Sequence, residues 1–442
     1  MLHWCHRKLK ILFLVIITIC CIYILISSKA DNLLKHNKKV HIAANDLPLI
    51  LWWNAMPNDY GSTSLCDWHF CRFTTQRKHL AKAKAVLFYG SDIDIGDLPL
   101  PRFPGQLWAL LHEESPRNVA FMPYQQWLQH FNFTSTFSRY SDAPLTTYYL
   151  PKVENLTSPT YVIPVADKSG QNNQGLVFFM QSDCDTMSGR DDYVRELMNY
   201  VTIDSYGACL KNHELPDSLQ EQQHDYLNNL YSPEILKLIA RYKFVLAYEN
   251  GVCYDYITEK FWRPLTVGSI PLYFGSPTVK DWAPNHKSFI DISDFNSPKD
   301  LANFIKKLDG NEAEYNSYLQ HKFNMVKPIG NERLLKELRT RNSSLYANNF
   351  FQSFECEVCR KLYQQPIHVQ MASETHYQCP HKPIYPSMFG KVRNNEEWRS
   401  AMELGKCQAN ILDRFLKRNL KFTKDNFTKL LNDEMISGKC LA

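Results

Sequence analysis

The chain has 442 residues, 44% hydrophobic and 13% aromatic, with 50 basic against 45 acidic side chains and a net charge of +5. That length and apolar content allow two or three domains with sizeable cores and exclude a mainly disordered chain. The mild charge, with no long basic run, gives no basis for nucleic-acid binding.

Ile11–Ile26 carries no charged residue and follows Arg7, Lys8 and Lys10. The run is slightly short for a bilayer core, and Lys10 can snorkel to the interface. It predicts a signal-anchor transmembrane helix over 11–26, with residues 1–10 as a cytosolic tail and the bulk of the chain in the lumen. The alternative is a signal peptide cleaved near Ser28-Lys29-Ala30. Residues 27–46, polar and lysine-rich, read as a stem. Cys5, Cys20 and Cys21 lie in or before the anchor, leaving ten of the 13 cysteines for an oxidising compartment where disulfides persist. Sequons at Asn132, Asn155, Asn342 and Asn426 agree with passage through the secretory pathway.

Leu49–Trp53 is a short apolar run that predicts a buried strand. Cys66 and Cys71 bracket a tight loop and are candidates to bridge each other. Ala85–Tyr89 and Leu107–Leu111 are two further strands, the second ending at His112-Glu113-Glu114-Ser115-Pro116. These make a first α/β domain over 47–165. A Gly/Asn/Gln-rich linker between Val165 and Gly175 precedes a second domain over 174–345. It starts with a strand at Leu176–Met180, then Gln181-Ser182-Asp183-Cys184-Asp185 and a helical pattern over Arg190–Val201. Ser232-Pro233 opens a helix with proline in its first turn.

Phe244–Tyr248 is a strand, Glu249-Asn250-Gly251 a polar turn, and Asp255 the expected cap of a helix from Tyr256. Ile270–Phe274 is the next strand, closed by Gly275-Ser276-Pro277. A strand follows at Phe289–Ile292, then a helix capped at Ser297 with Leu301, Phe304, Ile305 and Leu308 on one face. Strand–helix alternation implies parallel sheets, hence two Rossmann-like domains, with no internal sequence repeat. From 346 to 442 a tail carries Cys356, Cys359, Cys379, Cys407 and Cys440. Disulfides are its expected use in the lumen; zinc on Cys356, Cys359, His376 or Cys379, and His381 is the alternative.

The βαβ unit from Arg241 to Pro277 gathers Glu249, Asn250, Tyr256, Thr258, Glu259 and Lys260 at a strand end and a helix N-terminus. A lysine and an aromatic ring there suit a nucleotide phosphate and its sugar; the plain alternative is the polarity of an ordinary turn. Lys260 is the first candidate to neutralise a diphosphate and Arg190 the second. Arg263 is equally well read as part of a solvated helix face. Asp92/Asp94 and Asp183/Asp185 each have the D-x-D spacing of a divalent-metal site.

The run YENGVCYDYITEKFWRPLTVGSIPLYFGSP resembles the signature of the α-1,3-fucosyltransferase family, which uses GDP-fucose. The runs HEESP, QSDCD, DYVRELM and TEKFWRPL resemble most its divergent animal fucosyltransferase 10/11 branch, regarded as protein O-fucosyltransferases of the endoplasmic reticulum that modify Ser/Thr in EMI domains. The resemblance implies an α/β chain with two Rossmann-like domains facing a cleft (GT-B type). The first would be the acceptor side and the second the GDP-fucose side, with the anchor and a Cys-bearing C-terminal extension added.

It also implies an inverting, metal-independent transferase. Ser182, Arg190, Asn250, Tyr256, Glu259 and Lys260 would be donor contacts, with Glu259 on fucose or ribose hydroxyls. Glu114 would be the base. His112-Glu113 replaces the family's usual asparagine and apolar residue, so Glu113 competes for that role. No metal and no cofactor beyond the donor substrate are expected. The implied protein is a single-pass type II membrane protein of the endoplasmic reticulum, with the Golgi as alternative. Two other functions stay open: α-1,3-fucosylation of N-acetylglucosamine on N-glycans, and an inactive nucleotide-sugar-binding or lectin-like protein.

Overall fold

The computed structural model describes residues 46–56, 60–168, 174–220, 229–340, 350–364, 366–367, 369–380, 385–386 and 395–440. The expected anchor, Cys5, Cys20, Cys21, Asn342 and His381 lie outside them. Among the described residues no helix is long and apolar enough to cross a membrane.

The apolar runs become strands because they are buried on both faces, as parallel strands covered by helices require. β1 (Leu49–Trp52), β2 (Gly61–Cys66), β3 (His69–Thr74), β4 (Ala85–Tyr89), β5 (Leu107–His112) and β6 (Phe133–Thr136) form a six-stranded sheet in the order β2-β3-β1-β4-β5-β6. Only the edge pair β2–β3 is antiparallel. β7 (Val177–Phe179), β8 (Ile203–Ser205), β9 (Phe244–Tyr248), β10 (Ile270–Phe274) and β11 (Ile290–Asp291) form an all-parallel sheet in the order β8-β7-β9-β10-β11. With the edge strand β2 set aside, both sheets run 2-1-3-4-5 in their own chain order, a doubly wound topology. The repeat absent from the sequence is therefore present in the topology. Both sheets lie in one compact unit, Pro48–Ala442.

Four helices matter for the second sheet. α1 (Arg190–Leu197) follows Gly189, which has φ 66°. It ends four residues before the expected Val201, which still packs in the same cluster as Leu197 and whose N donates to Leu197 O at 3.1 Å. α2 (Pro233–Ala240) is capped by Ser232, whose side chain accepts from Ile235 N. α3 (Glu259–Val267) is capped by Thr258 and stopped by Gly268 at φ 70°. Any Cβ at Gly268 would also meet Val162 at 3.1 Å, so glycine is needed there twice over. α4 (Pro298–Asp309) is capped by Ser297 at 3.2 Å from Asp300 N.

The tail is part of the core around the first sheet. Ala85, Leu87, Leu107, Ala109 and Leu111 point to one face of the first sheet, where Phe354, Val358 and both cysteines of α5 (Phe350–Tyr363) cover them. Val86, Phe88, Trp108 and Leu110 point to the other face, against Met402, Ile411, Leu412 and Leu416 of α6 (Asn395–Lys417). The two-residue period of a strand splits these sets cleanly. α7 (Lys424–Ile436) packs Phe427 and Leu431 into the same cluster. Without the tail this sheet would expose an apolar face on each side.

The cysteine pairing corrects one expectation. Cys66 does not bridge Cys71: the bonds are Cys66–Cys356 and Cys71–Cys359. In the β2–β3 ladder Cys66 faces His69 and Cys71 faces Ser64, so the two are out of register. Cys356 and Cys359 sit three apart on α5 and present both sulfurs to the hairpin. Cys184–Cys209, Cys253–Cys379 and Cys407–Cys440 are also bonded. Cys356, Cys359 and Cys379 are thus unavailable to zinc. Among the sequons, Asn426 is exposed and Asn155 half-buried. Asn132 is buried and its Oδ1 accepts from Trp108 N at 2.6 Å, so this side chain serves the sheet, against the expectation of a glycan.

Candidate active site

Strand order in the second sheet reverses between β7 and β9, which pair through Val177–Phe244 and Phe178–Val245. Loops leaving the carboxyl ends of two such strands diverge and open a crevice, the usual ligand position in open α/β sheets. The β7 loop leads into α1 with Ser182, Asp183 and Arg190. The β9 loop leads into α3 with Glu249, Asn250, Tyr256, Glu259 and Lys260.

The β9 loop is closed by Glu249. This carboxylate is fully buried and accepts from Thr258 N and Thr258 Oγ1, each at 2.8 Å. Burial pushes its pKa up to about 7, against the pull of Lys260. A Cβ at Gly275 would land 2.5 Å from Glu249 Cγ, so the residue after β10 must be glycine for the clamp to close. The clamp sets Thr258 as cap and puts Lys260 in the first turn of α3. Lys260 Nζ lies 3.0 Å from Glu259 Oε1, 3.2 Å from Thr258 Oγ1 and 3.9 Å from Glu249 Oε2. Burial acts to raise the Glu259 pKa, but Lys260 and Arg263 outweigh it and hold it at about 2. Arg263 is buried 3.6 Å from Glu259, which corrects its reading as a solvated face.

Arg190 is buried under the same crevice. Its guanidinium donates to the carbonyls of Asp183 and, at 3.4 Å, Tyr248, while Nε has no hydrogen-bond partner among the described residues. Burial lowers its pKa, with nearby Asp191, Asp183 and Glu249 opposing. Ser182 is exposed at the strand end. Asn250 Oδ1 lies 3.0 Å from the Tyr256 hydroxyl and accepts from Ser115 Oγ at 3.0 Å.

That last bond crosses between the sheets. β5 ends at His112, and the next residues reach the second sheet's loops. Glu114, half-buried, has Oε2 at 3.2 Å from the Tyr256 hydroxyl. Burial raises its pKa; Lys260 acts to lower it and Glu259 to raise it. Glu113 turns away from this meeting point: Oε1 accepts from the Tyr89 hydroxyl at 2.6 Å, and burial raises its pKa to about 7. Arg117 reaches Asp183 at 3.3 Å.

Asp255 corrects the expected helix cap. It adopts φ 66°, and its carboxylate accepts from Arg139 Nε at 2.8 Å, Thr278 Oγ1 at 2.8 Å and Trp282 Nε1 at 2.9 Å. Burial acts to raise its pKa, but Arg139 and the other donors win and lower it. This pair, buried at Asp255 and half-buried at Arg139, ties the end of β6 to the β9 loop. Arg139→Ala strands a buried charge and is expected to cost about 3–5 kcal/mol in denaturant unfolding. Because the folded pKa of Asp255 lies below the unfolded one, that stabilisation is present above the ordinary aspartate range. It disappears as pH falls through the folded value. Sequence reading missed Ser115, Arg117 and Arg139, whose partners lie 66 to 135 residues away.

Among the described residues neither D-x-D pair belongs to a group with metal-ligand spacing. Asp183 turns its carboxylate to Arg117, and Asp185 N donates to Asp191. The group with ligand-like spacing among the described residues is Cys184, Asp191 and Cys209, and its two sulfurs are bonded to each other.

Two family profiles match the chain: Fucosyltransferase, N-terminal, over residues 45–149, and Glycosyltransferase family 10 (fucosyltransferase) C-term, over 170–377. Alpha-(1,3)-fucosyltransferase B of Drosophila melanogaster is 48% identical over 420 residues, 93% of each chain. GDP-fucose protein O-fucosyltransferase 3 of Homo sapiens is 38% identical over 418 residues, 90% of this chain and 85% of that one. A crystal structure of an alpha1,3-fucosyltransferase with GDP aligns over 70% of this chain and 93% of its own, at 16% identity and a TM-score of 0.43. With both halves matched and relatives this similar over nearly the whole length, the chain belongs to glycosyltransferase family 10, the fucosyltransferases.

Proposed function

We propose that this fucosyltransferase moves fucose from GDP-fucose to Ser/Thr hydroxyls of folded, EMI-type protein domains in the lumen of the endoplasmic reticulum. The observation that carries the chemistry is the meeting of Glu114, from the first sheet, with Tyr256 of the donor-side loop at 3.2 Å, beside Lys260 and Arg190. The name of the human relative supports a protein acceptor. In this reading 47–165 is the acceptor side, 174–345 the donor side and 346–442 the extension, arranged as a GT-B cleft. Residues 11–26 anchor the chain in the membrane as a type II protein.

Glu114 takes the proton of the acceptor hydroxyl. The oxygen attacks the anomeric carbon from the face opposite the diphosphate, which inverts that centre. The bond from that carbon to the diphosphate oxygen breaks, and GDP leaves with the electron pair. Lys260 and Arg190 neutralise the charge that develops on it. Tyr256 and Asn250 contact the donor and hold its loop against Glu114; Glu259 faces fucose or ribose hydroxyls, and Ser182 lines the nucleotide site. Fixed cations do the work of a metal, so activity is expected to survive EDTA; a manganese requirement restored by adding the ion back would return Asp183 and Asp185 to the reaction.

The acceptor test is mass spectrometry of products made from GDP-fucose with a folded EMI domain and a free N-glycan in parallel. β-eliminable fucose on the folded domain is expected. Labelling of the glycan alone would leave the donor chemistry standing and replace the acceptor with N-acetylglucosamine, placing the enzyme in the Golgi. GDP-fucose binding with turnover on neither acceptor would favour an inactive binding protein.

A further inference from the structure

Segment 372–379 of the tail crosses from the first sheet to the donor-side loop and touches both catalytic borders. At one end Ala372 N donates to Phe131 O at 2.9 Å, beside the start of β6. Thr136 Oγ1 donates to His376 O at 3.1 Å and Ser138 Oγ to Thr375 O at 2.9 Å, along the end of that strand. At the other end Tyr254 N donates to Gln378 O at 3.3 Å, and Cys253 is bonded to Cys379. Cys253 and Tyr254 belong to the loop that carries Asn250 and Tyr256.

Between these ends sits Tyr377, fully buried. Its hydroxyl lies 2.6 Å from Nδ1 of His112, the last residue of β5 and the one before Glu113-Glu114. Burial keeps His112 neutral, with a pKa near 3, so this is a fixed polar contact and not an ion pair. Gly90 confines the same imidazole from another side: a Cβ there would fall 2.5 Å from its ring. The Tyr377 ring also meets Phe137 edge-on at 5.2 Å, and Phe137 meets Tyr256 edge-on at 5.2 Å. One side chain thus contacts the strand end bearing Glu114 and, through one ring, the tyrosine beside that glutamate.

We propose that segment 372–379 is a positioning strap that fixes the spacing between the Glu114 strand end and the donor loop, with Tyr377 acting through His112 and Cys379 through Cys253. The two fastenings have separable consequences. The Tyr377 fastening aligns the base and governs the chemical step. The disulfide fastening holds the donor loop and governs donor affinity. This rests on Glu114 as the base.

The test is steady-state kinetics and thermal melting of the full-length enzyme as wild type, Tyr377→Phe, the Cys253→Ala/Cys379→Ala pair, and Glu114→Gln. Tyr377→Phe keeps the ring and loses only the hydroxyl, so a role in packing alone predicts unchanged kinetics. The strap predicts kcat down about tenfold with donor KM within about twofold, and an altered acid limb of the pH–rate profile. The cysteine pair is expected to raise donor KM about tenfold with a smaller change in kcat. Wild-type kcat and pH profile in Tyr377→Phe, or losses that merely follow the melting temperature in both variants, would overturn the strap. Should Tyr377→Phe fail to fold, the KM-against-kcat split of the cysteine pair decides. An active Glu114→Gln enzyme would remove the base assignment and with it the alignment role of Tyr377, while the donor-KM effect of the disulfide would stand, since it does not depend on the base.

Discussion

Glu114→Gln is expected to lower turnover by about 10²–10⁴-fold, the range for a lost general base, while GDP-fucose still binds. Glutamine keeps the shape and the contact with the Tyr256 hydroxyl but cannot hold the acceptor's proton. Glu113→Gln is expected to be milder, because Glu113 is occupied with Tyr89 and faces away from Tyr256. Titration calorimetry with GDP-fucose separates binding from turnover in both variants; the reverse order of severity would move the base one residue back. The pH profile carries the same assignment. Burial raises the Glu114 pKa, so the acid limb of activity lies above the ordinary carboxylate range, with activity rising as the group deprotonates.

Lys260→Ala is expected to lose about 10²–10³-fold in kcat, as when a preorganised group facing developing charge is removed. The fold is expected to survive at a cost in stability: the Glu249–Thr258 clamp and the Arg263–Glu259 pair remain, while two buried carboxylates lose a counter-charge. Lys260→Arg restores part of the rate, its planar guanidinium differing in shape and hydration from the compact ammonium. A second readout follows from proximity. Lys260 lowers the Glu114 pKa, so its removal moves the acid limb to higher pH, which a bulk loss of folding would not do. Near wild-type turnover in Lys260→Ala would take the phosphate role from this residue.

The second sheet was readable because its signals are local. Phe244–Tyr248 and Ile270–Phe274 are unbroken apolar runs and fall where expected, and the stretch between them holds four of the eight catalytic and donor candidates within twelve residues, 249–260. Errors arose where a distant partner overrides a local preference. Asp255 reads as a cap beside Tyr256, but Arg139, 116 residues earlier, draws it into a left-handed turn, and α3 starts three residues later. Cys66 and Cys71 read as a loop bridge, but each finds a helix about 290 residues on. The tail's cysteines marked it as folded, yet nothing in its own pattern says that α5 and α6 cover opposite faces of the first sheet. Glu114 by itself is one strand-end carboxylate among many; its place opposite Tyr256 depends on how two sheets meet.

Both sheets have the same strand order, so two switch points compete for the nucleotide: β7/β9 in the second sheet and β1/β4 in the first. Hydrogen–deuterium exchange of the full-length enzyme with and without GDP tests directly which is used. Protection over 181–190 and 249–260, with the segment around Asn54 and residues 89–92 unchanged, is the predicted result. Protection at Asn54 and 89–92 with the second sheet's loops unchanged would contradict it, and would place the donor on the sheet assigned here to the acceptor.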